Sequence, residues 1–329
     1  MRPIPLTVFE QYLFHEHRKS FPCRIVTEWR FSGTVDRAAF ETAAQVVATR
    51  HPLLLAQVKR NWRGKHFWHF CDDAEIPIHW HHEKGSNYRP DLRSLDVGKE
   101  FGFEYHVLVN SGGWNVFVNH SHAVCDGAGS HKVFHELLLA YEKQLGESLE
   151  LPPIDSNALR NRNRYGLTFL KKVSLLPAQV LGLFYAFTLY RRDISALIPD
   201  GNRQLDIPLP AGSPHLVSKT LSREEFSTLR KFALRRKSSI NSLCIAFFHA
   251  AIGEWRLLQN ISNESDWIRI SVPVNLRSKA NNKTPACNII SVVTIDRQAK
   301  GILNRERLIR RTNEDMDLVK RGWLSLTFL

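Results

Sequence analysis

Residues 119–130 read Asn-His-Ser-His-Ala-Val-Cys-Asp-Gly-Ala-Gly-Ser, which sets the imidazole of His122 four residues before the carboxylate of Asp126 and the turn-forming Gly127. A neutral imidazole takes up a proton near neutral pH and can return it, so the chemistry suited to this spacing is general base catalysis. Asp126 has two roles open to it. It could orient the histidine directly, as the carboxylate of a triad, or brace the loop through a buried ion pair while backbone orients the ring. Spacing alone does not separate them. The chain has no Gly-x-Ser-x-Gly elbow, and Cys125 stands among apolar neighbours where a small inert residue is expected.

The elements that must position His122 are a strand and a helix. Trp114 to His120 is rich in β-branched and aromatic residues and reads as a buried strand that delivers His122 to its end. From His131 to Leu145, Val133, Phe134, Leu137, Leu138 and Tyr141 fall at helical spacing. Gly127 and Gly129 are expected to shape the turn between them, which would hold a side chain rigidly at the edge of the core.

The segment Ser121–Gly127 resembles the His-His-x-x-x-Asp-Gly signature of the two-domain acyltransferase superfamily, which includes chloramphenicol acetyltransferase, condensation domains of peptide synthetases, alcohol acetyltransferases and wax ester synthases. Ser121 stands where many members carry the first histidine, His122 where the catalytic one falls, Asp126 at the structural acid and Gly127 at the glycine. Two further stretches are similar to that family: Phe31–Asp36 with Phe40, Ala43, Val47 and Arg50–Leu54, and, far downstream, Val272–Arg277. The resemblance implies that Arg277 meets Asp126 and bridges two domains.

The fold so implied is α/β, a chloramphenicol acetyltransferase-like two-layer sandwich of two related lobes with the second incomplete. Length alone suits two domains. We expect a first lobe over residues 1–150, a basic linker and apolar crossover over 151–213, and a partial second lobe over 214–329. Within the second lobe the sequence reads as a strand at Val217–Leu221, a helix capped by Ser222 with Glu225, a helix through Leu258, strands at Trp267–Val274 and Asn288–Ile295, and a charged helix over Leu303–Lys320.

The implied function is acyl transfer from an acyl thioester, acyl-coenzyme A, to a hydroxyl or amine, with His122 as general base in lipid or natural-product metabolism. Two alternatives accompany it: a condensation domain that depends on a carrier protein, and a non-catalytic remnant that binds acylated carriers or membranes. Site residues are His122 as catalytic group, with Asp126, Gly127 and Arg277 as its support; no cofactor-binding residue is identifiable. No metal site is expected, His120, His122 and Asp126 being accounted for by the family pattern. His131 and His135 read as solvated helix residues, and His79, His81 and His82 as decoration of an exposed strand without matching acidic ligands. No bound cofactor is expected. The acyl-coenzyme A or acyl-carrier thioester is a co-substrate, and the acceptor is a small alcohol, lipid or amine.

The chain carries 45 Lys and Arg against 32 Asp and Glu, and between Asp155 and Ile240 the ratio is fifteen to six. Such a field favours a phosphorylated carrier, a coenzyme with its phosphates or a membrane surface. Nucleic acid is not an expected partner, because no recognition motif accompanies the charge. Gly-rich nucleotide-binding loops are absent from the sequence. Val173–Tyr190 is uncharged over eighteen residues and has three readings: a membrane span, an interfacial segment with basic flanks, or a crossover helix. Five scattered cysteines and a polar N-terminal stretch suggest the cytoplasm, with peripheral contact at the inner membrane face.

Overall fold

The computed structural model describes residues 1–18, 22–71, 73–82, 90–165, 167, 169–195, 197 and 219–321. The chain divides into two compact units, Met1–Gly166 with Arg277–Ile290 and Leu167–Leu276 with Ser291–Leu329. The boundary between the units falls after Gly166, and the segment that begins at Arg277 is part of the first unit.

The first unit contains β1 (Ile4–Pro5), α1 (Val8–Glu16), β2 (Arg24–Ser32), α2 (Arg37–Arg50), β3 (Ala56–Arg60), β4 (His66–Phe70), β5 (Ile78–His82), β6 (Phe103–Asn110), β7 (Gly113–Ser121) and α3 (Gly127–Gln144). One sheet runs β2-β7-β6-β5 and a smaller one β1-β4-β3. In the larger sheet β2 and β6 flank β7 antiparallel, while edge strand β5 runs parallel to β6. Side chains alternate across a strand, so each strand serves two faces. On one face α2 sets the ring of Phe40 edge-on to Tyr105 at 5.9 Å, and α3 stacks Phe134 on Trp29 at 4.3 Å. The opposite face carries Glu104, His106 and Asn119, all buried and joined by hydrogen bonds.

Two buried polar knots hold distant segments of this unit. Arg162 grips Glu10 through both carboxylate oxygens, at 2.8 and 2.6 Å, and Trp68 donates to the same carboxylate. Such a planar fork satisfies a carboxylate far better than a point charge would. His51 is fully buried, which lowers its pKa and keeps the ring neutral. Its Nδ1 accepts from the Ala286 N–H at 2.9 Å, so the proton resides on Nε2, 3.3 Å from Glu136 of α3.

The second unit contains α4 (Phe169–Ser174), α5 (Leu176–Tyr190), α6 (Arg223–Arg235), α7 (Ile240–Leu258), β8 (Trp267–Asn275), β9 (Ile290–Gln298), α8 (Ala299–Ile302) and α9 (Arg305–Lys320). Strands β8 and β9 pair, and Ile245, Val272, Val293, Ile295 and Met316 form one apolar cluster of this unit. The expected Ser222–Glu225 capping box starts α6. The expected lobe start near Pro214 and the first residues of the Val217–Leu221 strand lie outside the described residues; 219–221 carry no strand. Among the described residues no helix is long and apolar enough to cross a membrane. Helix α5 buries Ala178, Ala186 and Leu189 and exposes a row of large residues: Leu183, Phe184, Phe187 and Tyr190 are each at least 60% accessible.

Candidate functional site

His122 lies one residue beyond the end of β7, in a turn over 122–124 that leads into α3. That helix starts at Gly127, four residues before the expected His131, because Asp126 is its N-cap and accepts from the Gly129 N–H at 2.8 Å. A carboxylate at this position satisfies a helix N–H that would otherwise be orphaned and faces the positive end of the helix dipole.

The same carboxylate has two other donors. Its Oδ2 accepts from Nη1 of Arg277 at 2.8 Å and from the Ile289 N–H at 2.9 Å. Arg277 also donates through Nη2 to the carbonyl of Cys287 at 2.8 Å. Both oxygens of Asp126 therefore serve the backbone and the guanidinium, and the side chain braces the loop. Asp126 and Arg277 fall within one compact unit, so the pair ties the histidine loop to the Arg277–Ile290 segment of that unit.

Backbone and packing place the ring of His122. Its backbone N–H donates to the Cys23 carbonyl at 2.9 Å, and Phe9 of α1 meets the ring edge-on at 6.3 Å. Asn288 uses both hydrogens of its amide, one to the carbonyl of His122 and one to that of Ala123, each at 2.9 Å. His122 is half-buried, and its Nδ1 is buried without a hydrogen-bond partner among the described residues. Its neighbour His120 is wholly buried and stacks on Phe103; burial, with the nearby His122, pushes its pKa down to about 3 and keeps it neutral. Burial also raises the Cys125 thiol well above its ordinary value and the Cys287 thiol to about 12, so neither is a thiolate nucleophile.

The glycines divide in an unexpected way. Nothing lies within 4 Å of a Cβ built on Gly127, whereas one on Gly129 would meet Cys125 Cβ at 2.9 Å and the Cys287 carbonyl oxygen at 3.2 Å. Gly129 is therefore the residue whose lack of a side chain lets α3 approach the 287 backbone. Gly102 has a similar task, since its carbonyl accepts the Ser121 N–H at 2.8 Å and a Cβ there would collide with Val97 and Val124. Sequence reasoning missed Phe9, Asn288 and Gly102; only the glycine carries a local signal, in its position at the start of a strand. Beside the Asp126–Arg277 pair lies a cavity of about 210 Å³ lined by Lys132, Asn281, Asn282 and Thr284, and His122 is not among its walls. His131 and His135 are exposed on α3.

No family model and no curated protein matches the sequence. Solved structures match over nearly its whole length. The first condensation domain of the calcium-dependent antibiotic synthetase, in complex with substrate analogue 3a, is 14% identical with a TM-score of 0.72, covering 98% of this chain and 76% of that one. The epimerization domain from the third module of tyrocidine synthetase B is 14% identical with a TM-score of 0.69, covering 99% and 75%. The SgcC5 protein from Streptomyces globisporus is 16% identical with a TM-score of 0.65, covering 97% and 75%. The chain spans about three quarters of the length of each. Several of these matches are domains of synthetases, which overturns the expectation of transfer from acyl-coenzyme A with His122 as general base. The chain has the two-lobed α/β fold seen in these condensation domains.

Proposed function

We propose that this protein joins two thioester-tethered substrates by condensation, an acceptor amine attacking the donor acyl thioester. In that step a C–N bond forms, the C–S bond breaks, and the amine proton ends on the departing sulfur. The observation that carries the reading is the anchoring of the His122 loop on this fold, by Asn288 at the carbonyls of His122 and Ala123 and by Asp126 on Arg277 and the Ile289 N–H. With Nδ1 buried, Nε2 is the nitrogen left to meet a substrate, and we assign it to holding the acceptor amine in line with the carbonyl. Asp126 and Arg277 support that geometry and touch no reacting atom.

One fold hosts condensation and epimerization alike, so the site must decide the chemistry. The test supplies donor and acceptor aminoacyl groups as N-acetylcysteamine thioesters and follows amide product by mass spectrometry, with acyl-coenzyme A plus alcohol in a parallel arm. We expect product in the first arm, lost in His122→Ala while circular dichroism is unchanged. Equal product from both proteins would reject the role of His122. We assign peripheral lipid contact to the exposed residues of α5, and failure of the protein to float with anionic vesicles would remove it.

A further inference from the structure

Strand β5 brings His79 opposite His106 of the parallel strand β6, and Glu104 lies two residues before His106 on the same face. The Nε2 of His106 is 2.9 Å from Glu104 Oε1 and that of His79 is 3.4 Å from Oε2; one ligand atom from each of the three residues lies within 4.8 Å of the others. A tetrahedral ion with bonds of about 2.0–2.1 Å needs ligand atoms roughly 3.4 Å apart. The His79–Glu104 contact has that spacing, the His106–Glu104 contact is shorter, and the three ligand atoms lie within 4.8 Å of one another.

We propose that His79, Glu104 and His106 bind one divalent ion of the zinc class, independently of the condensation site. Two neutral imidazoles and a carboxylate are a donor set that suits zinc and leaves a position for water. A second sphere is present too. His81 Nε2 is 2.9 Å from His106 Nδ1, and the Asn119 amide donates to Glu104 Oε1 at 2.7 Å. When His106 Nε2 gives its lone pair to the ion, Nδ1 carries the proton and His81 accepts it, the arrangement that orients a metal-bound histidine. Glu104 and His106 are almost wholly buried, whereas the His79 side chain is 47% exposed, so an ion could enter from the β5 edge.

The experiment titrates the metal-free protein with Zn²⁺ by calorimetry and with Co²⁺ by absorption. Its variants are His79→Ala, which removes an exposed side chain and spares the core, His81→Ala, and His82→Ala as a control on the other face of β5. We expect one-to-one binding, visible Co²⁺ ligand-field bands, and a melting midpoint that Zn²⁺ raises. His79→Ala should abolish all three, His81→Ala should weaken affinity roughly 10–100-fold, and His82→Ala should change nothing. No stoichiometric binding, or binding unaltered in His79→Ala, would overturn the site.

Discussion

Asp126 and Glu104 are two buried carboxylates of the same unit that meet opposite kinds of partner. Asp126 is surrounded by a guanidinium and two backbone N–H groups, donors that keep their protons at any ordinary pH. Glu104 faces imidazoles and an amide, and imidazoles can lose, gain or trade a proton for a metal. The first arrangement locks a loop. The second leaves a group whose occupancy solution conditions can change, and the difference lies wholly in what the partners are.

The strongest way to break this comparison is Asp126→Ala. It strips Arg277 and two backbone donors of their acceptor, and loss of one partner of a buried pair costs about 3–5 kcal/mol. Urea denaturation should register that loss, and a cost under about 1 kcal/mol would show that the loop relaxes around the gap.

Acid offers a second lever. His120 is a buried imidazole held at about 3, below its ordinary 6.5, so the unfolded chain takes up the proton first as pH falls. Stability is therefore full above about pH 6.5 and drops towards pH 3 by about 1.4 kcal/mol per unit. The depressed pKa of Glu104 adds to this, its contribution being lost only as pH falls through its own folded value. Stability measured against pH should be flatter in His120→Gln than in the wild type; identical slopes would remove His120 as the source.

Glu104→Gln sharpens the contrast with Asp126, since no guanidinium is left unpaired. The expected cost is about 1–3 kcal/mol, that of disturbed buried hydrogen bonds. A cost equal to that of Asp126→Ala would erase the distinction between the two carboxylates.

The smallest test is a pair of glycines. Gly129→Ala forces a carbon against Cys125 and the Cys287 backbone and should cost about 1–3 kcal/mol, whereas Gly127→Ala meets open space and should stay within about 0.5 kcal/mol. Thermal melts would separate them, and the reverse order would mean that the loop is packed differently.

Local signals were legible in the chain. The helix over Ile240–Leu258, the Ser222–Glu225 cap and the strand leading to His122 follow from periodicity and capping, energies set by residues within a few positions of one another. Apart from Asp126 with Arg277, which only the family resemblance implied, the pairing of buried polar groups was not. Glu10 meets Arg162 across 152 positions, and Asn288 reaches the His122 carbonyl across 166. His79 looked like strand decoration until the parallel pairing of β5 with β6 supplied Glu104. A buried carboxylate must find donors wherever the folded chain puts them, and strand register, not spacing along the chain, chooses which donors those are.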